Sequence, residues 1–297
     1  MPEYQVLDLF SGPGGLGTGF SRYFPVVNAI DWNRDCCKTY HHNHREARVN
    51  CKDVRDVTYV RRDFEGILIV IGGPPCQSFT ILNKGRNPRD NRANLLFEMF
   101  RAFKEIRPEF GLIENVATVP GRTKLRIKKM IEQLGYNVVS RVVRAADYGS
   151  VQIRRRWMLT ACLKGHVFPK RQPARRKARE ILTSEQSEIS AKPETIEKIQ
   201  NLPVGRWVAL PGQRYKAYFI IDPDALLPAI VNPTKLRYVK PDRSGYLSIT
   251  ELKKAQGFPA TYRFFGTLSS VGQQLANAVP VELAEAFARS FSGRLNS

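Results

Sequence analysis

Acidic residues are scarce in this chain. Asp and Glu number 27 against 47 Lys and Arg, so 297 residues carry a net charge of +20. A surplus of this size argues for a polyanion partner such as nucleic acid, because neutralised phosphates release counterions. Cysteine is also sparse, at five, which excludes a disulfide framework and fits a reducing compartment. No run approaches the ~18 apolar residues of a membrane-spanning helix. The N-terminus enters a strand without the basic, apolar, small-residue order of a signal peptide. These absences read as an intracellular, cytoplasmic protein. No internal repeat is present.

Metal ligands in a useful pattern are missing too. Cys36, Cys37, His41, His42, His44 and Cys51 lie near one another in the chain, but their spacing matches no structural zinc site. No metal is expected. Cys37 and Tyr40 are placed instead on the inner face of a helix.

What is present is an alternation of strands and helices over the first half. Apolar runs predict strands at 4–10, 26–30, 67–71, 110–113, 138–143 and 157–163, with a short strand or loop at 49–54. Helical spacing predicts helices at 16–23, 35–42, 94–106 and 124–134. The pattern predicts an α/β fold with a doubly wound sheet. Beyond residue 163 the alternation stops and prolines recur. This region reads as a second, smaller domain of short strands and loops. It opens with Lys164, Lys170, Arg171, Arg175, Arg176, Lys177 and Arg179, with no acid among them, a stretch expected to contact nucleic acid. Helical patterns return at 249–256 and 279–291.

Two loops carry chemistry. Gly12, Gly14 and Gly17 form G-x-G-x-x-G between a strand and a helix, and Asp31 closes the next strand. Glycines there admit a ligand close to the backbone, and the acid can bind ribose hydroxyls. The motif suits NAD and S-adenosylmethionine alike, since both carry adenosine. Trp32 offers a face for adenine, and Asp53 an acceptor for its amino group. The second loop is Gly72-Gly73-Pro74-Pro75-Cys76-Gln77. Its two prolines fix the backbone beside a cysteine at a strand's C-terminal end, where open α/β sheets place their chemistry. That placement suits a nucleophile; a structural turn with a buried thiol is the alternative.

Six short motifs in order resemble those of the cytosine-5 DNA methyltransferases of bacteria and archaea. They are Asp8–Gly15, Pro75-Cys76-Gln77, Glu114-Asn115-Val116, Asp147-Tyr148-Gly149 with Gln152–Arg156, Gln256-Gly257-Phe258-Pro259 and Asn277–Pro280. Three departures stand out: Ala276 where the family usually has glycine, Gly272 where it often has an aromatic residue, and no evident arginine before the 249–256 helix.

The resemblance implies a class I S-adenosylmethionine-dependent fold. It implies a catalytic domain over 1–164, a target-recognition domain over 165–247 and a C-terminal segment, 248–297, that returns to the catalytic domain. It makes Cys76 the nucleophile at cytosine carbon 6 and Glu114 the acid at N3. Arg156 would grip the cytosine O2, and Arg154 a neighbouring phosphate or the active-site loop. Both arginines would favour the Cys76 thiolate. Phe10, Ser11, Gly12, Gly14, Gly15, Asp31, Trp32, Asp53, Val54, Pro75 and Asn277 would bind the methyl donor. The target base would be flipped from duplex DNA, and the polar segment 80–92 would close over it. The enzyme would act as a monomer on DNA, paired with a restriction endonuclease. A tRNA methyltransferase is the alternative, although the Cys-Phe-Thr signature of that branch is missing. A silent DNA-binding regulator would lack the nucleophile or the acid.

Overall fold

The computed structural model describes residues 4–75, 95–210 and 217–295. Seven strands form the larger sheet: β1 (Tyr4–Leu9), β2 (Val26–Asp31), β3 (Arg48–Cys51), β4 (Ile67–Gly72), β5 (Phe110–Val116), β6 (Asn137–Arg144) and β7 (Arg155–Cys162). Their order is β3-β2-β1-β4-β5-β7-β6. β1 to β5 pair in parallel. β7 runs antiparallel to both of its neighbours. The reason lies in chain length. A parallel crossover takes about a dozen residues or more, and the 145–154 connection is too short for one, so the chain returns directly.

The central strands β1, β4, β5 and β7 are buried on both sides, as parallel sheets require, while the edge strands β3 and β6 are partly exposed. In β4, Ile69 and Ile71 face one core while Leu68 and Val70 face the other. The first core receives α1 (Gly15–Phe20), α2 (Arg34–Asn43) and α8 (Val281–Leu295) through Leu16, Phe20, Tyr40, Leu283, Phe287 and Phe291. The second receives α3 (Leu95–Ile106) and α4 (Gly121–Glu132) through Met99, Phe103, Ile127 and Ile131. Cys37 and Tyr40 are both buried on α2, as their spacing predicts.

A smaller sheet holds β8 (Trp207–Ala209), β9 (Ala217–Ile220) and β10 (Leu236–Val239), in the order β10-β9-β8. Three further helices belong to the second half: α5 (Pro193–Ile199), α6 (Ile249–Ala255) and α7 (Leu268–Asn277). α6 starts at a capping box, in which Ser248 accepts from the Glu251 amide and Glu251 accepts from the Ser248 amide. The end of the chain serves both sheets. Leu252 of α6 and Leu275 of α7 share a core with Phe219 and Tyr238 of the small sheet. α8 packs on α1, where Phe20 and Phe291 meet edge to face at 5.8 Å.

Candidate active site

The C-terminal ends of β1, β2, β4 and β5 converge on one edge of the sheet. After β1 the backbone turns through three left-handed residues: Phe10 at φ 54°, Gly12 at 54° and Gly14 at 99°. Gly14 tolerates this freely and Phe10 does not, so the loop is held from outside. The Asp31 carboxylate accepts from the Gly12 amide at 2.8 Å and from the Asn33 amide at 2.8 Å. Gly15 packs against the Val279 backbone so closely that a Cβ would lie 2.5 Å from its carbonyl oxygen. The last motif thus touches the first.

A methyl donor fits this edge. Among the described residues, the Ser11 hydroxyl is buried without a hydrogen-bond partner, and a Cβ on Gly12 would meet nothing within 4 Å. An unpartnered hydroxyl and an open Cβ position thus occupy successive residues of the loop. Trp32 is 71% exposed beside Asp31, so its ring is free to cover a ligand. Val54 is buried. Asp53 caps the short turn that follows it and grips Arg55 at 2.6 Å, which holds its carboxyl below the usual range. Asn277 ends α7, exposed, and accepts from Gln273 at 2.8 Å.

β4 and β5 are parallel neighbours with Gly72 opposite Ile113. The residues just beyond each strand therefore meet. Asn115 donates to the Pro74 carbonyl at 3.2 Å. Glu114 lies beside Gly73, where a Cβ would be 3.0 Å from Oε2. Pro75 is the last described residue of this loop. Cys76 and the expected closing segment 80–92 lie outside the described residues.

Glu114 is buried, and Arg156 Nε donates to its Oε1 at 2.7 Å. Burial pushes the carboxyl pKa up, more strongly than the guanidinium groups of Arg156 and Arg154 pull it down. The group is set to exchange a proton nearer neutrality than an ordinary glutamate.

Arg154 departs from expectation. It is 3% exposed, and its terminal nitrogens donate to the carbonyls of Ile230 at 2.9 Å and Ala276 at 2.7 Å. With no outward face it is a clamp between segments rather than a phosphate contact. Gln152 acts with it, donating to Ala255 O at 2.7 Å and accepting from the Ile230 amide at 2.9 Å. The basic run is also partly committed. Arg171 pairs with Asp147, Arg176 with Glu180 and Glu282, and Lys177 and Arg179 with Asp224. Lys164, Lys170 and Arg175 are exposed along the same stretch. Gly272 has a local reason: a Cβ would press within 3.0 Å of Pro233 and 3.1 Å of Asn232.

Asp8, Tyr40 and Tyr262 are buried and His44 half-buried in one polar set behind the glycine loop, a grouping the sequence alone does not reveal. Tyr40 donates to Asp8 at 3.1 Å, and Tyr262 donates to the Pro13 carbonyl at 2.5 Å. Asp8 and the three aromatic rings are scattered in sequence, so only the fold assembles them.

The family description for C-5 cytosine-specific DNA methylases matches residues 4–216 and 223–293. The chain belongs to that family. It is a DNA cytosine-5 methyltransferase. Type II methyltransferase M.FnuDI of Fusobacterium nucleatum is 28% identical, over 96% of this chain and 93% of its own length. M.MthTI of Methanothermobacter thermautotrophicus is also 28% identical, over 96% of each. Among solved structures, a prophage-encoded Escherichia coli protein described as a DNA modification methyltransferase superposes with a TM-score of 0.82. It shares 21% identity and covers 99% of this chain and 100% of its own. The S. pombe Dnmt2 methyltransferase gives 0.73 at 19% identity, over 99% of each chain. At these identities the likeness to the solved structures is one of fold.

Proposed function

We propose that the enzyme methylates carbon 5 of a flipped cytosine in a short duplex DNA sequence through a covalent adduct with Cys76. The observation that carries this reading is the placement of Glu114. A buried carboxyl with its pKa raised, gripped by Arg156, abuts Gly73, three residues before Cys76 in the chain.

Addition of the Cys76 thiolate at carbon 6 makes the cytosine ring electron-rich at carbon 5. Glu114 donates a hydrogen bond or proton at N3 as charge accumulates there, which burial of its carboxyl favours. Arg156 orients Glu114 and lies within reach of the base O2. S-adenosylmethionine, when bound, supplies an electrophilic methyl group on a sulfonium. The glycine loop from Phe10 to Gly15, with Asp31, Trp32, Asp53, Val54, Pro75 and Asn277, holds the donor. Loss of the carbon 5 proton and expulsion of Cys76 complete the turnover. The cost of unstacking the base, a few kcal/mol, is met by contacts in the site.

Residues 165–247 form the target-recognition unit in this reading, with its Lys170 and Arg175, and Lys164 just before it, facing the backbone phosphates. The Type II names of the relatives support pairing with a restriction endonuclease. The test is incubation with DNA of varied sequence and labelled S-adenosylmethionine. The reading expects 5-methylcytosine, no turnover from Cys76→Ser, and a trapped adduct on 5-fluorocytosine DNA. Label on RNA alone, or none on any DNA with folded protein, would sink it.

A further inference from the structure

Tyr262 lies in the connection between α6 and α7, 249 residues from the glycine loop in sequence, yet its hydroxyl donates to the Pro13 carbonyl at 2.5 Å. The ring is buried at 5% exposure and stacks near Phe258 with centroids 4.5 Å apart. His44 stands at the other side of the hydroxyl, its Nε2 at 3.3 Å, and the same nitrogen is 3.2 Å from the Thr18 hydroxyl of α1. His44 in turn lies against Tyr40 with centroids 4.5 Å apart. Gly14 leaves just enough room: a Cβ there would collide with the Tyr262 hydroxyl.

Pro13 sits between two left-handed glycines. Its carbonyl, inside a loop that turns through three such residues, fixes the directions of the neighbouring amides. The Asp31 carboxylate holds one end of the loop through Gly12. Tyr262 holds the middle. Neither anchor comes from the loop itself, and the Tyr262 anchor comes from the core that α6 and α7 share with the small sheet.

We propose that Tyr262 is a positioning residue for the methyl donor, fixing the glycine-loop backbone through the Pro13 carbonyl with His44 behind its hydroxyl. The proposal rests on the donor site described above. Removing the hydroxyl leaves a buried carbonyl without its donor and a loop free to relax, without changing the chemistry at Cys76 or Glu114.

The experiment is calorimetric titration of the full chain and of Tyr262→Phe with S-adenosylmethionine and with S-adenosylhomocysteine, alongside steady-state kinetics and DNA gel shifts. Tyr262→Phe is expected to weaken both ligands about tenfold, the scale of one buried hydrogen bond. KM for the donor rises in step, while kcat at saturating donor and DNA affinity stay within about twofold. His44→Gln, which keeps the bond to Pro13, weakens donor binding by a smaller factor. Unchanged donor affinity in Tyr262→Phe overturns the proposal. So does a parallel fall of donor affinity, kcat and DNA affinity, which marks a merely structural tyrosine. If Tyr262→Phe does not fold, unchanged donor affinity in His44→Gln overturns it. Failure of the wild-type chain to bind either ligand overturns the donor site itself, and the proposal with it.

Discussion

Glu114 and Arg156 meet diagonally across the antiparallel β5–β7 pair, Glu114 standing opposite Met158 and Arg156 opposite Val116, with Nε 2.7 Å from Oε1. β7 is the reversed strand of the sheet, so its reversal delivers the arginine to the acid. Opposed influences act at Glu114: burial raises its pKa, while Arg156 and, more weakly, Arg154 lower it. Removing the Arg156 guanidinium leaves only Arg154 against burial and shifts the carboxyl further up. Arg156→Ala is therefore expected to move the alkaline limb of kcat to higher pH, while kcat at its optimum falls by about 10²–10⁴ as the acid loses its orientation. Glu114→Gln abolishes that limb. Measuring kcat against pH at saturating DNA checks both, and an alkaline limb displaced to lower pH in Arg156→Ala would refute the assignment.

Asp8 makes stability depend on pH. Burial pushes its carboxyl from 3.8 to about 8, with nearby Asp31 adding to the rise and Tyr40 opposing it. The folded chain keeps a proton that the unfolded chain loses from about pH 4 upward. Stability from this group is thus fully present below its unfolded pKa and declines as pH rises, until the loss is complete above about 8. Asp8→Asn retains an acceptor for Tyr40 and removes the titration. Thermal unfolding at pH 5, 7 and 9 should show the variant gaining on the wild type at each step. A constant difference in Tm across that range would count against a protonated Asp8.

Much of this was legible because apolar runs announce buried strands. Ile67–Ile71 reads as a parallel strand by composition alone, and β4 is one. Glu114 is legible as an acid at a strand end, but its partnership with Arg156 depends on the sense of β7. α7 escaped notice because Ser269, Ser270, Gly272 and Gln273 dilute its helical signal; Thr267 caps it, and Val271 and Leu275 bury it. Helical spacing after β5 points to a start near Lys124, whereas the helix begins at Gly121, directly after Pro120. The clamp made by Arg154 is not legible in the sequence, because nothing local distinguishes it from Arg155 and Arg156. Its carbonyl partners come from residues 230 and 276, and long-range burial of that kind leaves no mark in the surrounding sequence.

Gly111 in β5 marks where α3 sits on the sheet. A Cβ at this position would run into the Phe103 ring, which is itself fully buried. Helix and strand cannot separate without opening the core around Met99 and Ile106. Gly111→Ala is expected to destabilise by about 1–3 kcal/mol through overpacking. Phe103→Leu in the same chain should recover part of that loss by vacating the ring. Urea midpoints of the two single variants and the double variant measure the coupling. Strict additivity would show that the ring is not the obstacle.

Arg154 separates a clamp from a phosphate contact by salt dependence. Each phosphate neutralised by a side chain adds about 0.9 to the slope of log K against log salt. Arg154 donates to Ile230 and Ala276 and is 3% exposed, so it neutralises none. Lysine presents one compact ammonium and cannot span two carbonyls as the guanidinium fork does. Arg154→Lys should therefore lower stability by about 2–4 kcal/mol, from two weakened buried bonds. At a temperature where the variant stays folded, its salt slope for DNA should match the wild type. Lys170→Ala and Arg175→Ala should behave in the opposite way, with unchanged urea midpoints and slopes reduced by about one each. A reduced slope with normal stability in Arg154→Lys would return that residue to the DNA.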